Sequence, residues 1–169
     1  MGLPSLQVRQ YPIEVFTTQY LFSCVLEPLG TLIPFLNNPE RRNLPLKNVK
    51  ATSLDSNYTV SSFTAEEIYA PRDEIIAIKF INPITPNTMT LLPFKDKLRV
   101  FMPHIVVQAS FAHGQDTRLT GIFESMVGMW APAENARIYM LHPIKATVST
   151  EAQMILLNKH RIQTYQLVP

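Results

Sequence analysis

Large apolar and aromatic side chains alternate with polar ones in several short stretches of the chain. That two-residue period marks strands with one buried face. The clearest stretch covers residues 15–26, where Tyr20, Phe22, Cys24 and Leu26 share a face. Glu27-Pro28-Leu29-Gly30 reads as a turn, after which Leu32, Phe35 and Leu36 take the i, i+3, i+4 spacing of one or two helical turns. A polar turn over residues 37–43 leads to a second strand at 44–54, and residues 61–67 read as a polar connection. The pattern then predicts a short edge strand at 67–71, a turn at 71–74 and an alternating strand at 75–81.

Residues 82–93 hold three prolines and little periodicity, as a stiff connector does. The chain therefore divides into a first β unit at 1–82, a Pro-rich connector at 83–97 and a second β unit at 98–169. In the second unit strands are predicted at 98–111, 136–148, 153–157 and 162–168, with a helical turn at 119–124. The halves read as copies. Lys50-Ala51-Thr52 matches Lys145-Ala146-Thr147 and Leu46 matches Leu141 at an offset of 95, whereas Arg72-Asp73-Glu74-Ile75 matches Lys159-His160-Arg161-Ile162 and Leu32 matches Leu119 at an offset of 87. A unit of roughly 70 residues has a marginal core alone, so face-to-face packing of the two is expected. The predicted fold is all-β, β-rich with short helical turns, built as two similar small-barrel or sandwich units packed pseudo-symmetrically.

The 169 residues are 46% apolar and 17% charged, with five glycines and fourteen prolines. This composition argues against disorder, glycine-rich phosphate loops and long helices. Fifteen Lys and Arg against thirteen Asp and Glu leave a net charge of +2, too little to hold a nucleic-acid backbone by charge alone. Cys24 is the single cysteine, which excludes an intramolecular disulfide and a thiolate metal cluster, and it suits a reduced, cytoplasmic setting. The first residues lack a basic start followed by an apolar stretch, and no run of eighteen apolar residues occurs, so neither secretion nor a membrane span is expected.

The residues Phe35-Leu36-Asn37, Leu44-Pro45-Leu46 and Arg72-Asp73-Glu74-Ile75 resemble the FLN, LPL and basic-acidic-turn pattern of a group of small uncharacterised bacterial proteins. The strand order also resembles small Sm-like or SH3-like barrels. The resemblance covers about 60 residues of the first half and implies a fold without an activity, since topology does not fix function. The second half departs from it, with Ile122-Phe123-Glu124 in place of FLN.

Catalytic signatures are lacking. His104, His113, His142 and His160 are too widely separated along the chain to form the close pairs that ligate metals, and no nucleophile elbow or phosphate-loop motif is present. Glu66-Glu67 and Asp73-Glu74 are adjacent pairs, which a strand points to opposite faces. Cys24 sits in an apolar strand, as an inert buried thiol does. No metal and no cofactor is called for. Arg41, Arg42, Lys47 and Lys50 form the most basic stretch, with Tyr58, Tyr69 and Tyr139 as possible base-stacking rings. Residues 126–130 bring Met126, Met129 and Trp130 together in what reads as a loop inserted in the second copy, either core filling or a partner surface.

The sequence thus points to a non-enzymatic interaction or assembly module, a homo-oligomer or an accessory subunit of a larger protein complex. Its contacts would be strand edges and Met126, Met129 and Trp130. The alternative is a regulator that binds RNA or single-stranded nucleic acid through Arg41, Arg42, Lys47 and Lys50. A site between the halves framed by His142, Tyr139 and Trp130 is a third possibility.

Overall fold

The computed structural model describes residues 8–84 and 92–169. The chain is all-β. Its antiparallel strands are β1 (Tyr11–Thr17), β2 (Tyr20–Leu26), β3 (Asn43–Ser53), β4 (Ser62–Pro71), β5 (Ile75–Phe80), β6 (Phe94–Met102), β7 (Ile105–His113), β8 (Trp130–Met140), β9 (Glu151–Asn158) and β10 (Thr164–Leu167). They form one sheet in the order β10-β6-β7-β8-β9-β5-β1-β2-β3-β4. Helix is confined, among the described residues, to α1 (Leu32–Asn37) and short 3-10 turns, with Leu32, Phe35 and Leu36 buried as their spacing predicts.

Several boundaries differ from the sequence reading, each for a physical reason. Residues 15–26 are not one strand but parts of the β1–β2 hairpin. Its turn has no Gly, Pro or Asn; the Thr17 hydroxyl shapes it by accepting from the Tyr20 N–H and donating to the Tyr20 carbonyl, both at 2.9 Å. The region 98–111 is likewise a hairpin, turning at Pro103 and His104, where His104 has φ +65°. Residues 62–67 belong to β4, since Thr64 and Ala65 pair with Lys50 and Val49. Strand β8 begins at Trp130 rather than at 136, and β6 begins at Phe94, inside the expected connector. Residues 85–91 of that connector lie outside the described residues.

Within the sheet the halves join edge to edge, through β5 and β9, and they also touch beyond this ladder, where His104 Nε2 lies 2.9 Å from the Thr18 carbonyl. Strands β1–β5 are ordered β5-β1-β2-β3-β4, and strands β6–β10 repeat that order as β10-β6-β7-β8-β9. The register repeats as well. Phe16 opposite Ala77 corresponds to Phe101 opposite Thr164, and Lys47 opposite Glu67 to Glu134 opposite Met154. Even the irregularity repeats: the β2–β3 ladder slips between Ser23 and Val25, and the β7–β8 ladder slips between Gln108 and Ser110. Each slip faces an asparagine with φ +52°, Asn48 on β3 and Asn135 on β8. The G1 type of β-bulge places its first residue in this left-handed backbone, and asparagine tolerates it better than most side chains bearing a Cβ.

From α1 onward the correspondence runs at a constant 87 positions, which overturns the offset of 95. Lys50 corresponds to Arg137, while Lys145-Ala146-Thr147 lies beyond the end of β8. It also removes the supposed insertion, because residues 35–45 and 122–132 are equal in length.

Two apolar clusters hold the sheet, and each draws on both halves. One contains Val100, Val107, Phe111 and Ile138 with Phe16, Leu21 and Ile76; the other contains Val15, Leu26, Leu44 and Ile78 with Trp130, Met154 and Leu156. Every residue of β5 is buried, as expected of a central strand covered on both faces. Burying one large apolar side chain contributes roughly 1.5–3 kcal/mol, so this sharing couples the halves strongly.

Candidate functional site

The internal joint is a short ladder: Ala77 opposite Leu157, Ile78 opposite Leu156 and Lys79 opposite Ile155. Lys79 is 2% exposed, and its ammonium donates to Glu14 at 2.7 Å and to the Ser149 carbonyl at 2.8 Å. Glu14 stands beside it on β1, so the charge is matched within the sheet. Asn158 is fully buried; its side chain accepts from the His160 N–H and donates to the Ile75 carbonyl at 2.8 Å. Arg161 donates to the Asp73 carbonyl and to Glu74.

Trp130 closes one end of this joint. It is 2% exposed, and its indole N–H donates to the Leu36 carbonyl at 3.1 Å, tying the start of β8 to the end of α1. The Met129 N–H donates to Asn37 Oδ1 at 2.9 Å, and the Arg72 guanidinium reaches Met129 Sδ and the Arg41 carbonyl. Burial pushes the Arg72 guanidinium down from its ordinary value. Gly128 has φ +82°, and a Cβ there would strike Asn37, so the approach requires glycine. Met126 is partly buried against the cluster of Val100, Val107, Phe111 and Ile138, and its carbonyl accepts from Lys159 Nζ of the same half. Met129 and Trp130 therefore serve the contact between the halves, and Val127 is the exposed side chain of the segment.

Lys47 and Lys50 share the exposed face of β3, opposite Val25 and Ser23, because the bulge at Asn48 keeps them in phase. Arg41 stacks its guanidinium 4.2 Å from the Phe35 ring centre, Lys47 pairs with Glu27, and Arg42 is exposed. Lys50 shares a groove of about 470 Å³ with Lys145, Ser23, Thr52, Ser61, Ser62 and Thr147. Tyr58, Tyr69 and Tyr139 are exposed, though Tyr58 lies against Tyr20. His104 and His142 are neighbours, with ring centres 6.2 Å apart, while Trp130 and Tyr139 stand at opposite ends of β8, about 30 Å apart along the strand. Trp130, Tyr139 and His142 therefore do not frame one site. Among the described residues no three His, Cys, Asp or Glu side chains gather as a metal site. Burial pushes the Cys24 thiol up to about 12, which keeps it protonated and unreactive.

What remains accessible is the backbone of the two outer strands. β4 is a ten-residue edge, exposed over most of its length, with Tyr69 64% exposed. β10 is the opposite edge, with Thr164, Gln166 and Leu167 exposed. No proline interrupts the interior of either strand and neither carries a lysine, so the guards that remain are Glu66 and Glu67 on β4 and the four-residue length of β10. Sequence reasoning missed Arg72, Lys79 and Asn158, the buried polar residues of the joint. The repeat at 87 was the available signal, since Asn48 and Asn135 lie that far apart and mark the same bulge.

No protein-family model, curated protein or solved structure matches the chain. Among the described residues no helix is long and apolar enough to cross a membrane.

Proposed function

We propose that the chain is a non-enzymatic assembly module that offers its open strand edges to a protein partner, as a homo-oligomer or an accessory subunit. The carrying observation is the open ten-residue edge of β4 over Ser62–Pro71, guarded only by Glu66 and Glu67, with β10 at the far side of the same sheet. Main-chain donors and acceptors on such an edge bind an incoming strand, and alternate side chains select it. The repeated strand order and register support reading the halves as two copies of one small unit, in keeping with the small-barrel resemblance. The single buried thiol of Cys24 suits a reducing, cytoplasmic compartment.

Light scattering on a size-exclusion column tests this with protein from its source cells. The expected result is a stoichiometric protein complex well above the 19.2 kDa of one chain that dissociates when Tyr69→Lys places a charge on the edge. A lone species at the mass of one chain overturns the reading. The groove shared by Lys50 and Lys145 favours a second reading, RNA or single-stranded nucleic acid. That reading predicts excess nucleic-acid absorbance in the eluted peak and binding that falls steeply with salt.

A further inference from the structure

We propose that copies of the chain join head to tail, with β4 of one copy pairing with β10 of the next in the register that already joins β9 to β5. The proposal rests on the assembly reading and names its partner, a second copy. β9 and β5 are the fourth strand of one half and the fifth strand of the other. The two open edges are the same two strand positions, β4 as fourth and β10 as fifth. An interface built once inside the molecule is thus left unmade at both its ends.

The constant offset of 87 converts the internal joint into an explicit external one. Ala77–Leu157, Ile78–Leu156 and Lys79–Ile155 become Thr164–Ala70, Tyr165–Tyr69 and Gln166–Ile68, with the first of each pair in one copy and the second in the next. The flanking contacts convert too. Trp130 donating to the Leu36 carbonyl becomes Asn43, also a side-chain N–H donor, facing the Phe123 carbonyl. The Met129 N–H on Asn37 becomes the Arg42 N–H on Glu124, a carboxylate in place of an amide. Arg41 and Arg42 replace Gly128 and Met129, so this corner is more open than the internal one and its contact is ionic. Lys159 adds a further positive charge there, since Arg72, its counterpart, touches Met129 in the joint. Glu124 and Arg42 are both exposed, with no side-chain hydrogen bond or ion pair among the described residues. Along the edges the charges are Glu66 and Glu67 on β4, the second opposite Lys47 of β3, and Arg99 of β6 opposite Gln166 on uncharged β10. Because the two surfaces differ, the contact propagates into a closed ring or a filament, as the rotation per copy dictates.

Purified recombinant chain, free of other proteins, tests this by sedimentation and by directed cross-linking. Ile68→Cys and Gln166→Cys are made on separate chains, Cys24 being buried and inert. Mixed under a mild oxidant, they are expected to give a disulfide-linked pair, while each variant alone stays unlinked; one chain bearing both changes gives a ladder. Glu124→Arg, which sets like charges against Arg42 and Lys159, weakens association at least about tenfold, and adding Arg42→Glu restores it. A chain that stays monomeric up to millimolar concentration overturns head-to-tail joining. So does cross-linking of the Ile68→Cys chain to itself, or assembly indifferent to Glu124→Arg. The complex from source cells judges the broader reading separately, so either can fail while the other stands.

Discussion

At the internal joint, β9 brings Leu157, Leu156 and Ile155 against Ala77, Ile78 and Lys79 of β5; at the same positions the free edges carry Ala70, Tyr69 and Ile68 on β4 and Thr164, Tyr165 and Gln166 on β10. Strand order and register recur between the halves, and the side chains at these positions differ. Trp130 stands where Asn43 does, Met129 where Arg42 does, and Asn158 where Pro71 does. The joint is centred on buried groups, Trp130, Lys79 and Asn158 among them, and the edges are built from small, amphipathic or charged ones that tolerate water when unpartnered. One geometry therefore serves a permanent contact in one place and leaves a surface suited to a reversible one in the other, since transient interfaces are more polar than permanent ones.

The largest expected effect breaks this comparison at its apolar anchor. Trp130→Ala removes a ring that is 2% exposed, together with its hydrogen bond to Leu36, and should destabilise the chain by about 3–5 kcal/mol in urea unfolding. Asn43→Ala, at the equivalent exposed position, should stay within about 0.5 kcal/mol. Equal costs would mean that the joint is not where the stability is concentrated. As the sole tryptophan, Trp130 also reports on itself: its fluorescence should resist a soluble quencher until the chain unfolds.

The strands were legible in the sequence wherever one face is buried, as in Leu44, Leu46, Val49 and Ala51 of β3. The strand expected at 75–81 is present as β5, but not with the alternation expected of it: the run from Ile75 to Ile78 is unbroken and both faces are buried. The hairpin turns at Thr18 and at Pro103 were not legible, because a threonine hydroxyl and a histidine in the left-handed region do there what glycine and asparagine usually do. β4 was half lost because its apolar residues, Phe63, Ala65, Ile68 and Ala70, do not keep a two-residue alternation through Glu66 and Glu67. The site was read as a loop around Trp130 because a tryptophan between methionines looks the same whether it faces a partner or the other half of its own chain. The matched Lys-Ala-Thr triplets were misleading for a related reason: three identical residues carry less than a matched bulge, and only the ladder slips at Asn48 and Asn135 fix the alignment.

Those two asparagines sharpen the comparison where the halves should behave alike. A residue with a Cβ and no amide costs about 1 kcal/mol in the left-handed region, so Asn48→Ala and Asn135→Ala should each lower stability by about that much. The glycine variants should be neutral or better, because glycine adopts this backbone without penalty. Thermal unfolding of the four variants measures it. A loss on one side only would show that one bulge is set by its neighbours and not by its own residue.

The smallest effect concerns the residue just before each bulge, where the charge is reversed between the halves: Lys47 pairs with Glu27, and its counterpart Glu134 pairs with Lys95. A hydrogen bond from Lys47, and after it one from Gln10, holds the Glu27 carboxyl below its ordinary value of 4.5, and Glu27 holds the Lys47 ammonium above its ordinary 10.5. A lowered carboxylate stabilises the fold above its unfolded value and stops doing so as pH falls through the folded one; a raised ammonium does so below its unfolded value and stops as pH rises through the folded one. The pair therefore acts between these limits. Lys47→Met should lower the melting temperature slightly at pH 7, and the difference from the unmodified chain should shrink as the pH falls below 4.5. Lys47 is solvent-exposed and Glu27 only partly buried, so added salt should narrow the gap as well. A gap unchanged in acid and in salt would assign the role of Lys47 to its aliphatic stem on β3 and leave the charge reversal between the halves without energetic consequence.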